Sequence, residues 1–411
     1  MSRKSILFIY LEPFYTLLCR ESVFSLRGDH ILRITDLPVI QNRRIRLLLA
    51  TELGKLFHTL VKRLIQMPGQ TSVNKFLLSY WIYSRRHQFR YSSESRVTNI
   101  DEHTTSIQSI HFHATAPFML TGSIDAAKLW WLDYQNGLTP TCIATIQGNE
   151  LSHFKGLAFH PTGNLMVTNT VQDIPVLWRF SYDDTSGCTL TRLAWLNVHY
   201  RGVFSVDFHK RLPFFATGSL DRFVVVWELL PQKPYVKCVC SFSHGSQVFC
   251  VAFHPSLPLI ATSGYDDVVR LWRLPSETSR LSLLATLIGH THWIHSVTFD
   301  QTGQFLATGC QDHTIKLWRL SDDFTVTCLA TLTGHTDAVN SVSFHQTAPF
   351  MVSTSMDHIV KVWRLSPDFF SATCVAEKKS DIDDFAICAA FDRHTKSLVF
   401  GTKQNQLNLW N

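Results

Sequence analysis

Tryptophan returns along this chain at a near-constant interval. Trp130, Trp178, Trp227, Trp272, Trp318, Trp363 and Trp410 are 48, 49, 45, 46, 45 and 47 residues apart. A period of this size marks one supersecondary unit copied and stacked, because a single copy cannot bury its apolar face alone. Each unit has room for four short strands and their turns. In the fifth, 293–299 (WIHSVTF) alternates like a half-buried strand, and Asp300-Gln301-Thr302-Gly303 makes a turn. A second strand follows at 305–308, a third at 314–318 after Gln311-Asp312-His313, and an outer one at 327–332. The fifth and sixth units are close copies (TLIGHTHWIHSVTF beside TLTGHTDAVNSVSF), so many of their positions serve the repeat rather than a ligand.

Within the period other residues recur in step. His199, Thr217, Asp221 and Trp227 keep the same mutual spacing as His244, Thr262, Asp266 and Trp272. The pattern continues in His290, Thr308, Asp312 and Trp318, and in His335, Ser353, Asp357 and Trp363. His103, Thr121, Asp125 and Trp130 match too, one residue short between Asp and Trp. With these motifs the units resemble WD repeats over about residues 95–411. The resemblance implies an all-β, seven-bladed propeller of four-stranded blades, each locked by a buried His–Ser/Thr–Asp–Trp tetrad. The chemistry suits the residues: a buried indole N–H needs an acceptor, a hydroxyl can accept it and donate onward, and a carboxylate fixes the imidazole tautomer. Three departures stand out. Arg179, Arg273, Arg319 and Arg364 replace the Asp that usually follows the Trp. The second unit has Glu150 and Gln172 where His and Asp belong, and the seventh has Ile382, Phe400 and Gln404. Those two blades are expected to be the least regular. The seventh also lacks an outer strand unless 96–100 (RVTNI) supplies it, which would close the ring.

Charge divides the chain. Residues 1–90 carry 15 Lys and Arg against 5 Asp and Glu, while 91–411 carry 23 against 27. The expected domains are a basic, mainly helical segment at 1–91 and the propeller at 92–411. Apolar residues at helical spacing over 44–66, and again over 73–83, support the first. Leu37-Pro38 ahead of an apolar helix resembles the start of an F-box, which would make 1–91 the docking site of a ubiquitin-ligase adaptor. Basic amphipathic helices also suit RNA or an anionic membrane surface. No apolar run reaches the roughly 18 residues that span a bilayer, and Glu12-Pro13 interrupts the short one at 5–11. Cys142, Cys328 and Cys374 recur in one phrase, with Cys238 in the equivalent place, as strand packing does and disulfides do not. Reduced thiols and a cytoplasmic location are expected, with the nucleus as the alternative.

Twenty histidines invite a metal or catalytic reading, yet five belong to the tetrads. Five more (His113, His160, His209, His254 and His345) follow the Phe that ends the innermost strand. No phosphate loop, nucleophile elbow or metal-spaced cluster is present, so no catalytic, cofactor-binding or metal-binding residue is assigned. A propeller presents loops on a rigid ring, which fits a scaffold for other proteins or peptides. The rim should carry Arg201, Leu220, Gln247, Tyr265, His292, Trp293, Gln311, Ala338 and Met356, next to the tetrad His and Asp residues.

Overall fold

A computed structural model describes residues 97–100, 103–134, 138–148, 154–169, 174–183, 185–276, 280–366, 368–380, 384–392 and 397–410. Among these, twenty-eight strands form seven antiparallel sheets of four. Each sheet is one blade. The innermost strands pack side by side in sequence order, and that of blade 7 (Ala386–Phe391) packs beside that of blade 1 (Ile107–Phe112). The ring therefore has seven blades around a central channel.

Burial follows strand position. The second strand of blade 5, Phe305–Cys310, is buried at every residue because neighbouring blades cover both its faces. The outer strand of the same blade, Val326–Leu332, leaves three of its seven residues exposed and buries only Leu332. Apolar clusters straddle the boundaries. Phe305, Ile315 and Leu317 of blade 5 meet Val339, Phe344 and Trp363 of blade 6, and the other clusters repeat this arrangement around the ring. The blades thus share their cores, and an isolated blade would expose one.

The strand Val97–Ile100 pairs antiparallel with Leu407–Trp410, from Val97 opposite Trp410 to Ile100 opposite Leu407. Blade 7 is completed by a segment that precedes blade 1 in the chain. Of the two blades expected to be irregular, blade 2 has inner strands, Leu157–Phe159 and Leu165–Thr168, of only 3 and 4 residues, whereas the innermost strand of blade 7 keeps 6.

The recurrent cysteines sit directly across from the repeat tryptophans. Trp130 pairs with Cys142, Trp227 with Cys238, Trp318 with Cys328 and Trp363 with Cys374, each beside a shift in register that inserts one extra outer-strand residue. Among the described residues none of the four forms a disulfide. Two of the arginines in place of Asp find aromatic partners in the next blade. The Arg179 guanidinium of blade 2 lies 5.8 Å from the ring of Tyr235 in blade 3, and Arg273 of blade 4 lies 4.5 Å from Phe324 in blade 5. Both aromatics occupy left-handed turns, with φ of 66° each. A cation over a ring contributes about 0.5–2 kcal/mol, so these contacts latch blade to blade.

The helices expected over 44–66 and 73–83, the F-box-like start, Glu150, Gln172 and Ile382 lie outside the described residues. Among the described residues no helix is long and apolar enough to cross a membrane.

Candidate functional site

Among the described residues three blades assemble the full tetrad. In blade 5 the Trp318 indole N–H donates to Thr308 Oγ1 at 3.0 Å, His290 Nε2 meets the same hydroxyl at 2.7 Å, and His290 Nδ1 reaches Asp312 Oδ2 at 2.8 Å. A carboxylate only accepts, so the imidazole proton sits on Nδ1 and the hydroxyl donates to Nε2. Blade 3 repeats this with His199, Thr217, Asp221 and Trp227, and blade 6 with His335, Ser353, Asp357 and Trp363. Burial pushes the Asp312 carboxyl up, but hydrogen bonds from His290 and Thr314 outweigh it and hold the carboxyl below its ordinary range.

Two of the expected tetrads are assembled differently. In blade 1 Trp130 and His103 both reach Thr121, at 2.8 and 2.7 Å. Asp125 does not reach His103: its carboxylate accepts from the hydroxyls of Thr104, Thr105 and Ser123, which hold it at about pKa 2 against the raising effect of burial. His103 Nδ1 is left buried without a partner, and burial lowers that imidazole to about 4. Hydroxyls in the loop after His103 compete for the carboxylate, and the shortened turn lets them win. In blade 4 His244 contacts Thr262 through Nδ1 at 2.8 Å, while Trp272 donates to the same hydroxyl. Arg270 reaches between the remaining members, 3.0 Å from His244 Nε2 and 2.7 Å from Asp266 Oδ2. His244 and Asp266 are left 3.5 Å apart.

The tetrad also positions the loops above it. Asp312 Oδ2 accepts the backbone N–H of Thr291, and the Gln311 N–H donates to the carbonyl of Trp293 at 2.8 Å. The loop carrying His292 and Trp293 is thereby tied to the blade core. Tyr265 of blade 4 stacks on Trp293 of blade 5 with centroids 4.0 Å apart, and His292 meets Trp293 edge-on at 4.8 Å. Tyr265 is 45% exposed, Arg201 and His292 are exposed, and Trp293, Gln247, Gln311, Met356 and Leu220 are half-buried. Ala338, expected on the rim, is fully buried because it opens the strand Val339–Phe344 beneath its loop.

Below this lip runs an aromatic wall along the channel. Phe204, Phe249 and His295, each second in its innermost strand, stack from blade 3 to blade 5 with centroids 6.0 and 5.5 Å apart. Phe249 meets Tyr265 edge-on at 6.1 Å, joining wall to lip, and His295 Nε2 lies 2.8 Å from Gln311 Oε1. The Lys155 ammonium of blade 2 stands 4.7 Å from the Phe204 ring. The rim was legible as loop positions, whereas this wall went unread. Its signal was the aromatic residue directly after the first apolar one in VFSV, VFCV and IHSV.

The sequence profile described as "WD domain, G-beta repeat" matches residues 190–228, 236–273, 281–319 and 326–364. Four matched repeats within seven four-stranded blades decide the family. The chain is a WD-repeat propeller. Among curated proteins, Pre-mRNA-processing factor 19 of Bos taurus is 27% identical over 153 residues, 34% of this WD-repeat chain and 26% of that protein. Its counterpart in Oryza sativa subsp. japonica is 30% identical over 133 residues, 32% of this chain and 23% of that one. Ribosome biogenesis protein BOP1 of Homo sapiens is 29% identical over 123 residues, 29% of this chain and 14% of its own. The WD-repeat chain thus spans about a quarter or less of the length of these relatives.

One WD-repeat tetrad has the makings of a cation site. His290, Cys310 and Asp312 offer ligand atoms within 4.8 Å of one another. Each is already engaged: the Cys310 thiol donates to the His292 carbonyl at 3.2 Å and accepts the Asp312 N–H at 3.3 Å, and burial pushes it up to about 12. Ser219 and Ser355 make the same pair of bonds in blades 3 and 6, so Cys310 acts as their stand-in. That serine, two residues beyond the tetrad hydroxyl, was readable in the TGS and TGC phrases but went unassigned.

The histidines in the FH phrases also acquire a role. His254 Nδ1 accepts the backbone N–H groups of Ser256 and Leu257, and His209 Nδ1 does the same for Arg211 and Leu212. With Nδ1 accepting, the proton resides on Nε2, and that of His209 donates to the Leu257 carbonyl of the next blade at 2.9 Å. These rings cap a turn and clamp adjacent blades together.

Proposed function

We propose that this WD-repeat chain is a non-catalytic platform that holds other proteins or peptides on the rim above blades 3 to 5. The observation that carries this reading is the stacked Tyr265–Trp293 pair, solvent-facing yet fixed to the core through Thr291 and Asp312. Aromatics held rigid before binding lose little entropy on complex formation and make strong anchors. Arg201, Gln247, His292, Gln311 and Met356 surround the pair as the polar and apolar margin of that surface. The test is to capture partners with the full-length chain and with Trp293→Ala and Tyr265→Ala, identifying them by mass spectrometry. Loss of specific partners with an unchanged melting temperature supports the rim; an unchanged partner set in both variants refutes it.

Relatives named for pre-mRNA processing and ribosome biogenesis favour work inside RNA–protein assemblies, and so a nuclear rather than a cytoplasmic location. Adaptor docking and polyanion binding would both fall to residues 1–91, and a salt titration separates them, since only contact with RNA or an anionic membrane weakens steeply with salt.

A further inference from the structure

The rim has a charge character as well as an apolar one, and the partner's chemistry follows from it. We propose that the channel mouth over blades 2 to 5 takes a short peptide segment in which an acidic side chain adjoins a bulky apolar one. This rests on the rim reading above and specifies what the rim selects.

The apolar half of the site is the Tyr265–Trp293 lip, continuous with the Phe204–Phe249–His295 wall through the edge contact of Phe249 on Tyr265. The charged half is Lys155. Its ammonium lies over the face of Phe204, and among the described residues no carboxylate pairs with it. Desolvation by the channel walls holds it below the usual ammonium range, so an incoming carboxylate would restore the stabilisation that burial removes.

Three of the neighbouring carboxylates are committed elsewhere. Asp221 and Asp312 each hold a tetrad histidine, and Asp266 is bound by Arg270. At the lip Arg201 is an exposed cation and Asp267, two residues beyond Tyr265, an exposed carboxylate, while His292 Nδ1 accepts the Trp293 N–H at 2.9 Å; the cation that faces the aromatic wall is Lys155. At the Phe204 ring a cationic partner would meet an ammonium already in place. Charge complementarity therefore selects an acidic segment, while the aromatic lip selects an apolar neighbour for it.

The experiment uses full-length protein and three fluorescein-labelled decapeptide pools, random except for a central Trp-Glu, Trp-Gln or Trp-Lys, read by fluorescence polarisation. The Trp-Glu pool is expected to bind at least tenfold more tightly than the others. Lys155→Met and Lys155→Gln should abolish the difference between the Trp-Glu and Trp-Gln pools. Equal binding of the Trp-Lys pool, a Glu preference that survives both Lys155 variants, or no binding by any pool overturns the proposal. Charge-independent binding that Trp293→Ala abolishes would defeat the acidic preference and leave the rim reading standing. Binding that Trp293→Ala does not alter would defeat the rim reading itself.

Discussion

Gly303, in the turn of blade 5, lies so close to His254 of blade 4 that a Cβ built on it would stand 2.0 Å from Nε2. Its φ of +78° is also one that side-chain-bearing residues rarely adopt. Blade contact and backbone conformation therefore demand glycine for two separate reasons. Gly303→Ala should cost about 2–4 kcal/mol, combining overpacking with left-handed strain. Gly187→Ala is the control, because Gly187 has nearly the same φ with nothing within 4 Å, and should cost only about 1 kcal/mol. Urea denaturation of the two variants side by side measures the difference, and equal losses would show that the His254 contact is irrelevant.

The tetrads differ in what a deletion should do. Asp312 bonds His290 and two backbone amides, so Asp312→Ala orphans a buried imidazole and should destabilise by about 3 kcal/mol. Asp266 is more open, and Arg270 still contacts His244 when it is gone. Asp266→Ala is expected to cost less than about 1 kcal/mol. Calorimetric melting temperatures would rank the pair, and a larger loss for Asp266 would contradict the geometry.

Acid should weaken the ring through its neutral histidines. Burial lowers His254 and His345 to about 4, and lowers His113, His160 and His209 in the same direction. A depressed histidine contributes stability that is complete above its unfolded pKa of about 6.5 and disappears as pH falls toward 4, because the unfolded chain binds the proton first. Melting temperature should fall steadily between pH 6.5 and 4. His254→Asn keeps a turn-capping oxygen, as Asp300 does in blade 5, and should shallow that slope. A slope identical to the parent's would remove the clamps from the explanation.

Deleting residues 97–100 should leave Leu407–Trp410 as a bare edge. Light scattering is expected to show concentration-dependent association, with a melting temperature at least about 5 °C lower. A monomer of unchanged stability would mean that the ring holds without this strand.

Much of the architecture was legible because Trp130 to Trp410 recur at one per blade and because His, hydroxyl and Asp keep step with them. The ring-closing strand was legible for a similar reason: three strands of blade 7 implied a missing fourth. What escaped was side-chain competition within those frames. Arg270 occupies the place taken by Lys316 and Lys361, yet it turns into the tetrad where Lys316 reaches Thr331 and Lys361 reaches Glu377. Nothing in a one-dimensional pattern distinguishes these directions. Asp125 shows the same limit, since spacing placed it opposite His103 but could not weigh three nearby hydroxyls against one imidazole. The channel wall escaped because Phe204 and Phe249 line up only once three separate blades are set side by side.

The pairing of Val97 with Trp410 joins positions 410 − 97 = 313 residues apart. At a synthesis rate of about 5–20 residues per second, the first strand waits roughly 15–60 seconds for its mate to leave the ribosome. Throughout that interval six blades can stack while the ring stays an open arc, with an apolar flank of blade 1 uncovered. Every newly made copy therefore passes through a stage in which that flank is open to other chains and to chaperones before its own last blade can cover it.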